Sequence, residues 1–426
     1  MELTVLLLSL LILLLIGVPV AFALAMSSIV TFFMLDIPLV VAFQRMAAGM
    51  NVFALMAIPF FVFAGDLMHR AGIAERLIRV ADGALGRVRG GLGQVNVGAS
   101  MLFGAVSGSA IASVSAIGST LTPLMREKGY DTDYAVNVSA TAAITGLLIP
   151  PSHNMIIYAA AAGVSISLAD LFLAGIMPGV LTGLLLMIAA WVVAVRRGYP
   201  RGRFPGWRPF ILAIAGAIPG LIAALIIVLG VLSGVFTPTE SAGIAVVYTI
   251  AVATLVYRSL SWQGFMQATT AAVRTTAMVM IVIGAAAAFG WLLALLQAPS
   301  QLAGMLHTIT ENPLLLLLLI NIVLLVLGTF MDMAPLIMIT TPIFLPMATN
   351  LGMDPVHFGI MLLLNLGIGL VTPPVGSVLF VACAVGGISI EKTVRTIWPF
   401  YLALIAALAA VIYLPAISLW LPSALH

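Results

Sequence analysis

Apolar stretches long enough to cross a lipid bilayer recur throughout this chain. Of its 426 residues, 63% are hydrophobic and 7% are charged, and the mean hydropathy is +1.23. A soluble domain has about a quarter charged residues, whereas about 20 apolar residues suffice for one transmembrane helix. The composition therefore predicts an all-α polytopic membrane protein with roughly ten to fourteen spans or half-spans. We expect the lipid bilayer as its environment and no nucleic acid as a partner.

The positive charges divide the connecting segments into two sets. Five Arg lie within residues 70–89 and five within residues 196–208, and Arg45 alone fits neither set. The segments without any Lys or Arg are residues 163–170, 233–240, 299–313 and 347–357. By the positive-inside rule the first set is predicted to be cytoplasmic and the second periplasmic. Both termini are predicted on the periplasmic side, and the N-terminal run, which lacks the basic start of a signal peptide, is predicted to be a retained helix.

An internal repeat with an offset of 223 residues organises the chain. The matching pairs are Pro123 and Pro346, Gly129 and Gly352, Asp131 and Asp354, Pro150 and Pro373, Pro151 and Pro374, and Gly163 and Gly386. The same distance separates Ser109 from Asp332. Agreement of several residue types on one offset predicts a duplication, with repeats at residues 1–200 and 209–426 and a basic cytoplasmic linker at residues 201–208.

The two repeats are predicted to have opposite orientations in the membrane. The loop at residues 126–133 carries Arg126 and Lys128, whereas its counterpart at residues 349–356 carries no positive charge. Inverted-topology repeats of this kind occur in secondary transporters. Each repeat is predicted to contain three helices, a polar arm, a re-entrant hairpin, a broken helix and a final helix. The arms are at about residues 68–90 and 299–312, the hairpins at about residues 91–124 and 314–346, and the broken helices at about residues 134–162 and 358–385.

The hairpin tips and the helix breaks carry most of the polar chemistry. Asp332 follows a long apolar run, where a carboxylate is costly and usually functional. The tandem prolines interrupt their helices, and the carbonyl groups so freed are tolerated only where they line a cavity or are buried in protein. Such carbonyls suit Na⁺, and half-helix N-termini suit an anion. The pattern predicts one ion site per repeat with the substrate between them, with pairing of Asp332 and Arg274 as the structural alternative.

Other polar residues favour structural roles. Thr237 and Glu240 fit a capping box, and Asp131 and Asp354 lie just after a glycine, where a turn or cap role is expected. The five His show no metal-ligand spacing, so sodium alone is predicted as a metal ligand. His153 lies near the predicted cavity and is a candidate site residue.

Over essentially its whole length the chain resembles the large membrane subunit of tripartite ATP-independent periplasmic (TRAP) transporters, the DctM type. The resemblance is carried by residues 102–110, 149–152, 236–240, 331–335 and 365–376. It implies a non-enzymatic secondary transporter of the bacterial inner membrane, with an elevator-type fold, that imports an organic anion or zwitterion with Na⁺ as the coupling ion. It also implies two partners, which are a small four-helix membrane subunit (DctQ-like) and a periplasmic substrate-binding protein (DctP-like).

The resemblance further implies a set of site residues. The first sodium site would use Ser107, Ser109 and the backbone from Pro150 to Asn154. The second would use Gly328, Thr329, Thr372 and Gly376. The substrate would contact Asp332, Ser109 and Ser152, and Asp332 next to an anion would bind an amine or a hydroxyl group or help to attract sodium. The chain departs from the family pattern after Tyr158, where Ala159 stands in place of the frequent glycine.

Two other functions compete with this interpretation. An intramembrane hydrolase would use Ser107 or Ser109 as its nucleophile and His153 as its base. However, neither serine lies in a Gly-x-Ser-x-Gly motif, and a hydrolase gives no reason for a repeat. A standalone Na⁺-coupled carrier of the dicarboxylate type is the closer alternative, and it would not depend on a binding protein.

Overall fold

The chain folds into helices joined by short connections. The computed structural model describes residues 2–301, 304 and 312–425, so most of the predicted arm at residues 299–312, together with His307 and His426, lies outside the described residues. The helices up to residue 196 are α1 (Glu2–Leu15), α2 (Val20–Met34), α3 (Leu39–Met50), α4 (Ala57–Arg70), α5 (Ile73–Leu85), α6 (Gly91–Ser107), α7 (Ala110–Ser113), α8 (Ser119–Glu127), α9 (Thr132–Ala142), α10 (Thr145–Leu148), α11 (His153–Ala161) and α12 (Leu168–Arg196). Those that follow are α13 (Trp207–Leu232), α14 (Pro238–Ala251), α15 (Trp262–Leu295), α16 (Pro313–Gly328), α17 (Met333–Asn350), α18 (Pro355–Leu370), α19 (Ser377–Gly386), α20 (Ile390–Thr396), α21 (Trp398–Tyr413) and α22 (Ala416–Leu425).

Membrane-spanning helices dominate the described part of the chain. Six helical segments are long and apolar enough to cross a membrane, and three further pairs of helices meet the same criterion together although each pair is bent by more than 40°. This confirms the prediction of an all-α polytopic membrane protein.

Helix boundaries recur at the 223-residue offset seen in the sequence. Ala110, which begins α7, lies 223 residues before Met333, which begins α17, and the last residue of α8, Glu127, lies 223 residues before the last residue of α17, Asn350. The first copy differs by a π-helical turn at Val114–Gly118. These boundaries are consistent with a duplicated pair of helices joined at a tip. The opposite membrane orientation of the two copies stays a prediction.

Both predicted helix breaks coincide with the tandem prolines. Residues 149–152 separate α10 from α11, where the helix direction changes by 53°, and residues 371–376 separate α18 from α19. The Pro150–Pro151 and Pro373–Pro374 peptide bonds are both cis. Because proline lacks an N–H group and its ring obstructs the preceding turn, the backbone at these places cannot continue as a regular helix.

Glycine contacts hold each hairpin against the broken helix of its own repeat. α6 crosses α10 where Gly104 meets Gly146, so that a Cβ on Gly104 would lie 2.2 Å from Cα of Gly146. α16 crosses α18 where a Cβ on Gly369 would lie 2.5 Å from the carbonyl carbon of Gly328. Small residues allow such close helix packing in membranes. Each hairpin and its broken helix therefore form one packed unit.

We expect Gly104→Ala to lower the thermal unfolding temperature of the purified protein, with a loss of about 1–3 kcal/mol in stability. The added methyl group meets backbone atoms, which cannot rotate away. The matched control is Gly216→Ala in α13, where a Cβ would meet nothing within 4 Å. Equal unfolding temperatures for the two variants would show that the crossing is not tightly packed.

A charged cluster joins the end of α12 to the start of α9. Arg197 donates hydrogen bonds to both carboxylate oxygens of Asp133, at 3.0 and 2.8 Å, and to Asp131 at 3.0 Å. Tyr199 donates to Asp131 at 2.7 Å, and burial, together with this hydrogen bond, raises the pKa of Tyr199 to about 12. Asp131 therefore pairs with Arg197 and does not cap α9 with its side chain. Asp354 caps α18 as predicted.

Two further interpretations of single residues can be compared with the structure. Thr237 and Glu240 form the predicted capping box at the start of α14. The Arg45 guanidinium lies 4.8 Å from the centre of the Trp291 ring, so a cation–π contact accommodates the one positive charge that fits neither side of the predicted topology.

Candidate functional site

A cavity of about 530 Å³ lies where the hairpin tips meet α4 and α15. We call it the central cavity. Its polar lining residues come from elements far apart in the sequence and are Asp66, His69, Arg70, Ser107, Ser109, Ser115, His153, Asn154, Thr275 and Asp332. The fold thus gathers several of the predicted site residues around one space that is large enough for a small organic ion.

The first hairpin tip places two hydroxyl groups on the cavity wall. The chain turns at Gly108, whose φ of 61° lies in the left-handed region that favours glycine. The N–H of Ser109 approaches Oγ of Ser107 at 3.4 Å, and the N–H of Ala112 donates to Oγ of Ser109 at 3.3 Å. A hydroxyl oxygen has two lone pairs, so each Oγ retains acceptor capacity for a cation or a substrate group.

The first tip rests directly on the first helix break. A Cβ on Gly108 would lie 2.8 Å from the carbonyl oxygen of Pro151. Ser152 is fully buried, and its hydroxyl group makes no hydrogen bond to the part of the chain that the structure describes. Asn154 lines the central cavity, whereas Pro150 and Ser152 do not. Ser152 therefore lies behind the tip, away from the surface on which the sequence places the substrate.

The residues predicted for the second ion site meet where the second tip touches the second break. The carbonyl oxygen of Thr329, next to Gly328, accepts a hydrogen bond from the N–H of Gly376 at 3.4 Å. A Cβ on Gly376 would lie 2.9 Å from the carbonyl oxygen of Thr372 and 3.2 Å from that of Leu370. Main-chain oxygens thus converge on a small space that only a glycine leaves open. Unwound backbone carbonyls of this kind coordinate Na⁺ in other transporters.

Asp332 occupies the position of the second tip that corresponds to Ser109 in the first. Each is the N-cap residue of the helix that follows, which is α17 for Asp332 and α7 for Ser109. Protein atoms surround Asp332 on most sides, yet its side chain is exposed to the central cavity. The Ser377 hydroxyl group lies beside this carboxyl group without a hydrogen bond of ordinary geometry. None of the ion pairs among the described residues joins Asp332 to Arg274, so the structural alternative is not formed.

The helix α4 contributes a wall of the cavity that the sequence pattern did not predict. Nε of Arg70 donates a hydrogen bond to Oδ2 of Asp66 at 2.8 Å, and Nη1 of Arg70 donates to Oε1 of Gln267 at 2.8 Å. Like Asp332, Asp66 interrupts an apolar run, and this signal would have identified it. We call Asp66, His69 and Arg70 the α4 wall.

Comparisons with known proteins agree with this architecture. The family model described as "Tripartite ATP-independent periplasmic transporter, DctM component" matches residues 7–417. The sialic acid TRAP transporter large permease protein of Vibrio cholerae is 39% identical over 89% of this chain and 89% of its own length. The C4-dicarboxylate TRAP transporter large permease protein of Pseudomonas aeruginosa is 39% identical over 87% of this chain and 86% of its own length.

A solved structure shares the fold at low sequence identity. The YdaH transporter of Alcanivorax borkumensis, whose crystal structure revealed an unusual topology, is similar with a TM-score of 0.58 and 16% identity. The similarity covers 87% of this chain and 87% of that chain. It concerns the arrangement of helices alone.

Proposed function

We propose, because the chain belongs to the DctM component family of tripartite ATP-independent periplasmic transporters, that it imports an organic acid or zwitterion with the energy of a Na⁺ gradient. Members of this family are large permease subunits and not enzymes, which decides against the hydrolase interpretation. The substrate would be handed over by a periplasmic binding protein.

The observation that carries the sodium coupling is the meeting of each hairpin tip with the helix break of its own repeat. At the first junction we place one Na⁺ against Ser107, Ser109 and the backbone from Pro150 to Asn154. At the second we place another against Gly328, Thr329, Thr372 and Gly376. Both junctions combine hydroxyl and carbonyl oxygens with a break in the helix, which is the combination that binds Na⁺ in transporters with inverted repeats.

The charge of the cavity supports a requirement for cations. Its formally charged lining residues are Asp66, Asp332 and Arg70, which sum to −1 with histidines neutral. An organic anion entering this space is repelled unless positive charge enters with it, because charges interact strongly away from bulk water. Two bound Na⁺ ions would reverse the sign of the local charge and so make anion binding depend on sodium.

An elevator motion fits the way the helices pack. Each hairpin contacts its broken helix through glycine backbones, so the two can move as one body. α4 and α15, which also line the cavity, would form the stationary wall past which this body moves. The substrate would then be carried between the two sides of the membrane with its sodium ions.

The proposed setting is the bacterial inner membrane, with a small four-helix membrane subunit beside the chain. Large apolar side chains are exposed on helices at the periphery, for example Leu11 and Ile12 of α1, Phe33 of α2 and Ile211 and Leu212 of α13. Apolar surface of this kind is expected to contact lipid or another membrane helix. Both termini are proposed to be periplasmic.

We expect Ser107→Ala to weaken the apparent Na⁺ affinity of transport about fivefold, because one oxygen ligand worth about 1 kcal/mol is lost. The apparent substrate affinity at saturating Na⁺ should change less. The measurement is the initial rate of uptake into proteoliposomes as a function of Na⁺ concentration. Ser119→Ala is the matched control, since the hydroxyl group of Ser119 donates to the carbonyl of Ala116 in its own helix. An unchanged sodium dependence in Ser107→Ala would remove Ser107 from the site.

A further inference from the structure

Arg70 is distinguished by its place in the central cavity. Among the residues that line this cavity in the described part of the chain, it alone is a Lys or Arg. It lies at the end of α4, opposite the hairpin tips, and its side chain is about 30% exposed. The distribution of charge along the sequence predicts that this end of α4 is cytoplasmic.

The guanidinium group of Arg70 is held in place by two different helices. Nε is bonded to Asp66 of α4 and Nη1 to Gln267 of α15. Arginine has five N–H donors in a rigid plane, so three remain without a hydrogen-bond partner among the described residues. A planar donor group fixed at one edge and free at the other is preorganised to receive a second acceptor with two oxygens.

We propose that Arg70 binds the carboxylate group of the transported molecule on the side of the cavity formed by α4. This inference rests on the proposed transport of an organic anion or zwitterion. Asp66 engages Nε, and Gln267 engages one N–H of Nη1, so both N–H groups of Nη2 are available to a carboxylate. Arg70 then determines which end of the substrate faces α4.

This assignment gives Asp332 a role that is compatible with an anionic substrate. A carboxylate bound to Arg70 lies on the α4 wall, and the opposite end of the molecule faces the hairpin tips. Asp332 then accepts a hydrogen bond from a hydroxyl or ammonium group at that end. The two residues together select a carboxylate that also carries a hydroxyl or amine donor, such as a hydroxy acid or an amino acid.

The test is equilibrium binding of defined carboxylates to the detergent-purified full-length chain in Na⁺ buffer. The probes are succinate, malate, glutamate, gluconate and N-acetylneuraminate, and binding is measured by titration of the thermal unfolding temperature. For the probe that binds best, Arg70→Gln should raise the dissociation constant about 10- to 100-fold, because charge-assisted hydrogen bonds are lost. Arg70→Lys, which retains the charge without the planar group, should raise it about 3- to 10-fold and serves if Arg70→Gln does not fold.

Two variants separate ligand binding from a structural ion pair. Asp66→Asn breaks the same ion pair as Arg70→Gln but retains the guanidinium group, so it should change the dissociation constant by less than about threefold. Arg274→Gln removes an exposed arginine of α15 that does not line the cavity and should leave the dissociation constant unchanged. Loss of the probe carboxylate, as in its amide, should weaken binding to the wild type but cause no comparable further loss in Arg70→Gln, since the two changes remove one interaction.

The outcomes distinguish this inference from the proposed function. Binding of a probe by the wild type with an equal dissociation constant in Arg70→Gln, or equal losses in Asp66→Asn and Arg70→Gln, would overturn the assignment of Arg70 alone. Absence of Na⁺-dependent binding of every probe to the wild type would overturn the proposed function as well.

Discussion

Asp332→Ala is expected to abolish transport while leaving the protein folded. The carboxylate is exposed to the central cavity at the N-terminus of α17, beside Ser377. We expect the loss of its interactions with the substrate and the field of the bound sodium ions to lower the initial uptake rate roughly a hundredfold, which corresponds to about two charge-assisted hydrogen bonds. The assay is uptake into proteoliposomes, and size-exclusion chromatography verifies that the variant is folded.

The control for Asp332 is a carboxylate that lies outside the cavity. Glu391 near the start of α20 is exposed, and Glu391→Ala should retain the wild-type uptake rate. Because alanine at position 332 removes a costly intramembrane charge, the folded state should not be weakened. Wild-type uptake by Asp332→Ala would exclude Asp332 from the transport site.

Gly376→Ala is expected to have an effect of similar size through the second sodium site. Gly376 has a φ of 37°, and a Cβ there would lie 2.9 Å from the carbonyl oxygen of Thr372. The methyl group would occupy the space on which the carbonyl oxygens converge, so we expect roughly a hundredfold loss of uptake, as for loss of a well-coordinated ion. The stabilisation of the purified protein by Na⁺, measured as a rise in unfolding temperature, should shrink together with uptake.

The matched control separates this clash from backbone strain. Gly387, at the other end of α19, also has a positive φ, of 64°, but a Cβ there would meet nothing within 4 Å. Gly387→Ala therefore pays a similar left-handed backbone cost of about 1–2 kcal/mol without entering an ion site. If both variants retain stabilisation by Na⁺, the second junction does not bind sodium.

The membrane class and the positions of the helix breaks were accessible from the sequence. Apolar run lengths identify membrane helices, and tandem prolines such as Pro150 and Pro151 interrupt helices wherever the chain is packed. The offset between Ser109 and Asp332 also anticipated that both residues would begin a helix at a tip. These features depend on local chemistry or on the comparison of two copies, and both are written in the residue order.

The α4 wall and the burial of Ser152 were not accessible in the same way. Arg70 faces the cavity because α4 packs against α15 and the first hairpin, and its bond to Gln267 spans 197 residues. Likewise, whether Ser152 faces the cavity or lies behind the tip depends on how closely Gly108 approaches the break. Contacts between distant segments are fixed by packing, which no local pattern specifies.

The most direct test of the central claim is substrate uptake into proteoliposomes that contain this chain and its small membrane subunit. A panel of labelled carboxylates is offered under an imposed Na⁺ gradient, with and without the periplasmic binding protein. We predict uptake only when both the gradient and the binding protein are present. Gradient-driven uptake without the binding protein would indicate a standalone carrier, and uptake that persists when K⁺ replaces Na⁺ would contradict sodium coupling.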